Sequence, residues 1–583
     1  MGIYAYSSLD DIKEKAWETT KNTLAGTTNL VEWRECYVSN VLEEMNGANS
    51  ILPKGLKFSA AQLKDRSLSQ RMCAQVLMET HHCVSINMGS DKDSDDSAYM
   101  PAIYSSKDGI YHMNHDYFAK YVGILHPEAD EGFTEKVMYH IKTNSQRVNR
   151  TGFKDGERDL IPFQNGILDY TTKELIVDYE NDVAYHDDPQ YVFTWYVHCN
   201  WNPDAQSPQI KMPNGKIWEF EEWVLDIMDG SKEDAHLLKQ VIGSVFRPFV
   251  DFQQSTWFYS TSGSSGKTTI LDMIFDILGN SAVALNLKEI EGEDSAFNLQ
   301  QVLESGAVFI GADENPVKMY LDKSDKYKSI VTHGWVHLNR KFKKNVSAKF
   351  FCSMIQCGND TPRLQDNSPS NLRRWNAIRF PKTFGKNEKI KEIKDVYLKR
   401  KDVQEYICKA CLKDIPDYYE FMNTDNTEET LRMIQTDNSP VLQFVYSVLH
   451  EGGYMATDDD GDANDGGMSI CPTWSKIPLP ILYQVFVAWY KLTHDGQKPM
   501  SDKSFYKDLE IALQNDDTWE IDKRKTLNVS KKYENEVLNN PWLAIKMFGV
   551  NELIDQRYTD SNDYGKALMP RFEKQYTGGL FRR

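Results

Sequence analysis

The chain has 583 residues, 40% of them hydrophobic, and 85 acidic against 67 basic side chains give it a formal net charge of −18. That length predicts three or four domains with real cores and excludes a disordered chain. The acidic balance excludes a protein that coats nucleic acid over its whole surface, while leaving room for DNA in a confined basic channel.

No apolar run reaches the ~18–20 residues of a membrane span. The N-terminus, MGIYAYSSLDDIKEKAWE, lacks the basic and apolar regions of a secretory signal, and the context after Gly2 gives myristoylation little support. Nine scattered cysteines read as reduced thiols, so a cytoplasmic location is expected.

Residues 1–71 read as helical and carry no chemistry. Residues 72–233 read as an α+β domain that opens with a helix at Met72–Met78, an acidic loop at Asp91–Ser97 and a strand-like stretch from Ile103 to Met113. A primase would hold two metals with aspartates paired on an apolar strand. Asp91, Asp93, Asp95 and Asp96 stand instead in polar sequence, so a solvated loop is expected. His81, His82 and Cys83 lack a second ligand pair at zinc spacing and read as helix-end residues. Next come a β-hairpin pattern (LIPFQNGILDYTTKELIVDY), a further strand at Tyr191–Trp201, and amphipathic helices at Trp218–Met228 and Asp234–Phe246.

The most informative stretch is STWFYSTSGSSGKTT, Ser255–Thr269. An apolar strand breaks into a small-residue loop and re-enters helical spacing at Ile270, Leu271, Ile274, Phe275 and Leu278. Such a loop cradles a nucleoside triphosphate: backbone N–H groups and the helix's positive end face the phosphates. The candidate ATP-binding residues are Ser262, Gly263, Ser264, Ser265, Gly266, Lys267, Thr268 and Thr269. Lys267 would reach the β/γ oxygens and Thr268 would ligate Mg²⁺. Thr261 stands where the first glycine of the pattern is usual, with Gly263 two residues on.

A second apolar run, GAVFIGADENP, ends in acids, where an open α/β sheet presents its ligands. There Asp313 is expected to help hold Mg²⁺ and Glu314 to polarise the attacking water. Strands at Trp335–Asn339 and Lys349–Cys357 flank a basic segment whose Arg340, Lys341, Lys343 and Lys344 reach toward phosphates, with Phe342 available to stack or wedge. Asn359 follows as a polar sensor, and Arg373 and Arg374 as a finger that completes a neighbouring subunit's site.

Taken in this order from Ser262 to Arg374, these motifs resemble the superfamily 3 helicases, the compact AAA+ class of viruses, phages and plasmids. FQNGILDYTT and the stretch through WNPDA resemble the domain that precedes the helicase in poxvirus- and phage-type primase-helicases. The resemblance covers about Met72 to Lys382 and implies an α/β fold with an AAA+ P-loop core at 234–385. It further implies a hexameric, ATP- and Mg²⁺-dependent DNA helicase of a mobile element, with a single strand in the ring's channel and 3′→5′ movement. Arg374, or else Arg373, would be the trans-acting finger, and Lys341 and Phe342 the DNA-contacting pair. No recognisable primase precedes this unit, so a partner primase or polymerase is expected.

Residues 386–440 read as a helical connector, in which Cys408 and Cys411 form a CxxC without a second pair and are taken as buried thiols. Residues 456–468 read as an acidic linker, out of phase for a calcium loop. Leu482, Tyr483, Phe486, Trp489 and Tyr490 form one apolar helix face, followed by a helix capped by Ser501 and a hairpin, TWEIDKRKTLNVSKKY, with a basic tip. This pattern predicts a winged-helix-like domain at 441–555 that holds duplex or forked DNA through Lys503, Lys507, Lys523, Arg524 and Lys525; residues 556–583 form a tail. Three other readings stay open: an origin-melting initiator, a primase-helicase with a divergent primase in residues 1–150, and a DNA-binding regulator with a vestigial nucleotide site.

Overall fold

The structure is a computed structural model, and it describes residues 8–583 apart from 60, 63–66, 90–95, 180–188, 317–318, 339–344, 367, 387, 451–475, 495–496, 515 and 529–575. The chain forms two compact units, Met1–Leu431 and Arg432–Arg583.

The first unit begins with two antiparallel-contacting helices, α1 (Leu9–Leu24) and α2 (Leu30–Ile51). A capping box starts α1: the Asp11 amide donates to Ser8 Oγ and the Ser8 amide to Asp11 Oδ2. Trp17, Trp33 and Tyr37 bury the seam between the two helices. They share this core with α3 (Gln70–Thr80), α4 (His115–Leu125) and α5 (Glu131–Asn144). The helices pack beside a four-stranded sheet of order β3-β2-β1-β4, made of β1 (Cys83–Asn87), β2 (Tyr99–Ser105), β3 (Ile110–His112) and β4 (Gln146–Asn149). Of the acidic loop, 90–95 lies outside the described residues, and Asp96 pairs with Arg147 at 2.7 Å.

The expected hairpin is a three-stranded meander, β5 (Leu160–Phe163), β6 (Gly166–Asp169) and β7 (Glu174–Asp178), because Gln164–Asn165 and Thr171–Lys173 both turn the chain. The strand expected at 191–201 is absent. It is a strap whose backbone bonds are scattered rather than laid in one ladder: Tyr111 N–H donates to Phe193 C=O, Val197 N–H to Pro162 C=O and His198 N–H to Ile277 C=O. Several separate parts of the fold, Thr151, Gln164 and Asn165 among them, thus satisfy its backbone.

After α6 (Phe220–Ile227) and α7 (Lys232–Val245) comes a five-stranded, all-parallel sheet. Its strands are β8 (Ser255–Tyr259), β9 (Ala282–Ala284), β10 (Phe309–Ala312), β13 (Ser353–Gly358) and β14 (Trp375–Arg379), in the order β9-β10-β13-β8-β14. Between β8 and β9 runs α8 (Lys267–Leu278); between β9 and β10 run α9 (Leu287–Glu291) and α10 (Ser295–Ser305). The short α11 (Asp325–Val331) leads to an antiparallel hairpin, β11 (Trp335–Leu338) and β12 (Val346–Lys349). The single strand expected over 349–357 is therefore two. Residues 350–352 turn the chain from the hairpin's β12 into the sheet's β13. All of β8 is buried, as a strand covered on both faces must be, and this accounts for its unbroken apolar run. In α12 (Lys401–Leu412), Cys408 and Cys411 are fully buried, and Cys408 Sγ lies 3.7 Å from Cys199 Sγ. Burial pushes both α12 thiols up from their ordinary range.

The second unit packs α13 (Pro440–Phe444), α14 (Leu479–Thr493) and α15 (Asp502–Ala512) against an antiparallel sheet of order β15-β17-β16. Its strands are β15 (Lys476–Pro478), β16 (Trp519–Asn528) and β17 (Tyr576–Arg582). The apolar face of α14 is core: Leu482, Phe486, Trp489 and Tyr490 are buried, with Phe505 and Trp519. Ser501 caps α15, accepting from the Ser504 amide. The hairpin expected within 518–533 is corrected here. Lys523–Lys525 lie mid-strand in β16, and its partner is β17, from the tail that the sequence left unread. The acidic linker 456–468 lies outside the described residues.

Candidate nucleotide site

The parallel sheet brings the candidate residues to one edge. Register pairs Tyr259 with Gly358 and with Arg379, and Ala312 with Gln356, so β8, β10, β13 and β14 end together. From β8 the chain leaves through α8 to the far edge at β9, whereas from β13 it crosses to β14 on the other side. The gap between β8 and β13 is thus a topological switch point, where open α/β sheets bind ligands.

The loop 260–266 fills that point. Gly266 takes φ +98° directly before Lys267 opens α8, and a Cβ there would meet Ile227 at 3.1 Å. Gly263 has open space and an ordinary φ, whereas Ser264 holds φ +66°, so the left-handed turn falls on a serine. The loop is clamped from β14's far side: the Phe384 amide donates to Ser264 C=O at 2.9 Å, and Thr383 Oγ1 bonds Ser262 Oγ. Nothing in the sequence marks that clamp, because its two partners stand about 120 residues from the loop.

Lys267 is 6% exposed. Its ammonium donates to Asn359 Oδ1 at 2.9 Å, to Ser265 Oγ at 3.4 Å and to Ser260 Oγ. All three acceptors are neutral, and among the described residues no carboxylate forms an ion pair with it. Burial therefore holds its pKa below the ordinary lysine value. Thr268 and Thr269, half-buried, follow on the first turn of α8.

Asp313 and Glu314 are exposed at the end of β10, one strand over from Asn359. A network that sequence reasoning missed locks their backbone. The buried Asn315 donates from its amide and from Nδ2 to Cys357 C=O (both 3.0 Å) and from Nδ2 to Gln356 Oε1 (3.1 Å). Its Oδ1 accepts from the Leu287 amide at 3.2 Å. Lys394, ion-paired with Asp272 of α8, is held above its ordinary pKa by that carboxylate, with Asp313 adding to the field.

Arg373 and Arg374 do not join this site. They precede β14, at the amino edge of the sheet, where Arg374 C=O accepts from the Ser255 amide. A five-residue strand separates that edge from Lys267, about 16 Å. Arg373 is exposed, while Arg374 is half-buried and donates from Nη1 to Ser370. The basic residues Arg340, Lys341, Phe342, Lys343 and Lys344 lie outside the described residues, between β11 and β12. In the second unit Lys503 and Lys507 are exposed on α15.

Beside the loop opens a cavity of about 700 Å³. Ser264, Gly266 and Thr269 line it together with Trp218, Trp223 and Phe384, and the rest of its lining is largely charged. No described helix is long and apolar enough to cross a membrane.

Two family models match the chain. Residues 61–229 match the one described as D5 N terminal like, and residues 258–374 match a family of unknown function, DUF5906. The first is a domain of the primase-helicase family. No curated protein matches. Among solved structures, the apo structure of the NrS-1 C-terminal region (305–718) is 12% identical, with 78% of this chain and 97% of that chain covered at a TM-score of 0.40. The A form of the same apo region is 11% identical, with 79% and 97% covered at 0.40.

Proposed function

We propose that this protein is an ATP-driven DNA helicase of the primase-helicase type, with an AAA+ core of superfamily 3 and its ATPase centred on Lys267. One observation carries the reading: a buried ammonium at the switch point of a parallel sheet, with only neutral oxygens around it. A buried charge without a counter-charge is costly, and a triphosphate cradled by loop 260–266 supplies the missing anion.

The residues fit ATP–Mg²⁺. Ser262–Gly266 would wrap the phosphates, and the base would enter the neighbouring cavity beside Trp223 and Phe384. Thr268 and Asp313 would hold Mg²⁺, which neutralises charge on the phosphate oxygens. Glu314 orients a water against the γ-phosphorus; the bond to the β–γ bridging oxygen breaks, and ADP and phosphate leave. Asn359, on Lys267, senses whether the γ-phosphate is present. The distance of Arg373 and Arg374 from their own site favours action on a neighbour's nucleotide, so a closed ring, taken as a hexamer, is part of this reading. The more exposed Arg373 is the better finger of the two. Lys341 and its neighbours would line the bore and supply a basic path inside an acidic exterior; duplex or fork DNA would meet Lys503, Lys507 and Lys523–Lys525. The D5 N terminal-like match supports the replication context.

Strand displacement on a forked DNA tests this. Wild type is expected to unwind, and Lys341→Ala to keep basal ATP turnover within about twofold while losing unwinding. ATP turnover without any strand separation by wild type would instead favour the origin-melting initiator.

A further inference from the structure

A second cavity, of about 510 Å³, lies in the N-terminal α+β region between the β2–β3 turn and α4, far in sequence from the phosphate loop. Its wall is aromatic. His112 stacks on Tyr117 with ring centroids 3.9 Å apart, Tyr121 lies 5.4 Å from Tyr117, and His81 meets Tyr121 edge-on at 4.7 Å.

Polar capacity remains open inside it. Tyr104, 4% exposed, lines the cavity, and its hydroxyl has no hydrogen-bond partner among the described residues. His112 engages Asp108 Oδ2 through Nε2 at 3.1 Å, which leaves Nδ1 over. Asp108 also accepts from Ser105 Oγ at 3.1 Å, so the cavity's inner carboxylate is already satisfied. His81 engages Thr80 through Nδ1 at 2.8 Å, which leaves Nε2. Burial holds both imidazoles below their ordinary pKa, so they are neutral near pH 7. Lys107 and Lys120 are exposed on its lining, with Lys120 Nζ 5.5 Å from the Tyr117 ring centroid; the exposed Asp116 on the same lining lies 3.7 Å from His115 Nδ1, outside the cleft's lining.

Aromatic walls, neutral donors and acceptors and two exposed cations match a planar polar ring that carries an anionic group. A metal ion does not fit, since no His, Cys, Asp or Glu cluster suited to one occurs among the described residues. We propose that this cleft binds one nucleotide unit, either within a single strand or free. The base meets the Tyr117–Tyr121–His81 wall and the hydroxyl of Tyr104, and the phosphate meets Lys107 and Lys120. Asn280, just beyond the end of α8, also lines the cleft. That helix starts at Lys267, about 18 Å away, so an occupant would touch the turn that directly follows the helix opened by the phosphate loop. The proposal rests on the motor reading only in expecting nucleic acid as a partner.

Photocrosslinking the full chain without ATP tests it, using an oligothymidylate substituted with 5-iododeoxyuridine and, separately, 8-azido-ATP. In wild type and in Lys267→Ala alike, crosslinks are expected within residues 99–125. Crosslinks from the strand identify a strand site, and those from the azide that persist in Lys267→Ala identify a free nucleotide. Affinity for the crosslinking probe should fall about tenfold in Lys107→Ala/Lys120→Ala and about threefold in Tyr104→Phe, which removes one oxygen and no packing. Absence of crosslinks in 99–125 from both probes, or their loss in Lys267→Ala, would overturn the proposal. Unchanged affinity in the double lysine variant would do the same. Because the readout needs no ATP turnover, failure of the motor reading would leave it standing.

Discussion

At the scale of single residues, charge placement says most. Lys267 sits where the fold gives it serine and asparagine oxygens alone, whereas Arg247, also buried, is answered by Asp159 at 2.8 Å. On the proposed reading, the first cation faces phosphates while the second is part of a structural ion pair. His333 shows a different cost. It is half-buried against Phe351, and desolvation pushes its pKa down to about 4 despite Asp251 nearby. The folded-state value lies below the unfolded ~6.5, so the unfolded chain binds the extra proton between these values. The stability present at neutral pH is lost as pH falls through that window. His333→Asn keeps the φ of +49°, which asparagine tolerates, and removes the titration. Urea unfolding at pH 7 and pH 5 should show wild type losing on the order of 1 kcal/mol more than the variant. Equal losses would contradict the assignment.

At the scale of elements, α8 and its loop were legible because the glycines, the lysine and the apolar spacing fall in contiguous sequence. Gly266 has a local reason to be glycine, its left-handed φ. Gly266→Ala is therefore expected to raise the KM for ATP about tenfold or more while leaving the far-UV circular dichroism unchanged; an unchanged KM would show that the loop tolerates a Cβ there. Other elements hid their role. The strap at 191–201 has a strand's composition, but its partners are scattered over several elements and loops, and periodicity does not report partners. β16 looked like half of a hairpin because its basic centre resembled a turn; its partner β17 comes from the end of the chain, and only long-range pairing identifies it. The cleft at Tyr104 and Tyr117 was invisible for the same reason: its residues come from α3, β2, β3, α4 and the end of α8.

At the scale of the whole molecule, the acidic chain and its basic segments make sense if copies assemble with those segments inward. On the proposed reading the site is completed by a second copy, since both candidate finger arginines stand at the opposite edge of the sheet from Lys267. Mixing inactive Lys267→Ala subunits with inactive Arg373→Ala subunits should restore part of the ATP turnover, at interfaces where an intact lysine faces an intact arginine. Full activity in Arg373→Ala alone would move the finger to Arg374 or remove it. The most direct test of the central claim is ATP hydrolysis by the wild-type chain with and without single-stranded DNA, beside Lys267→Ala. The account predicts turnover that DNA stimulates and that falls at least about a hundredfold in Lys267→Ala. Turnover in wild type no greater than in Lys267→Ala would contradict it.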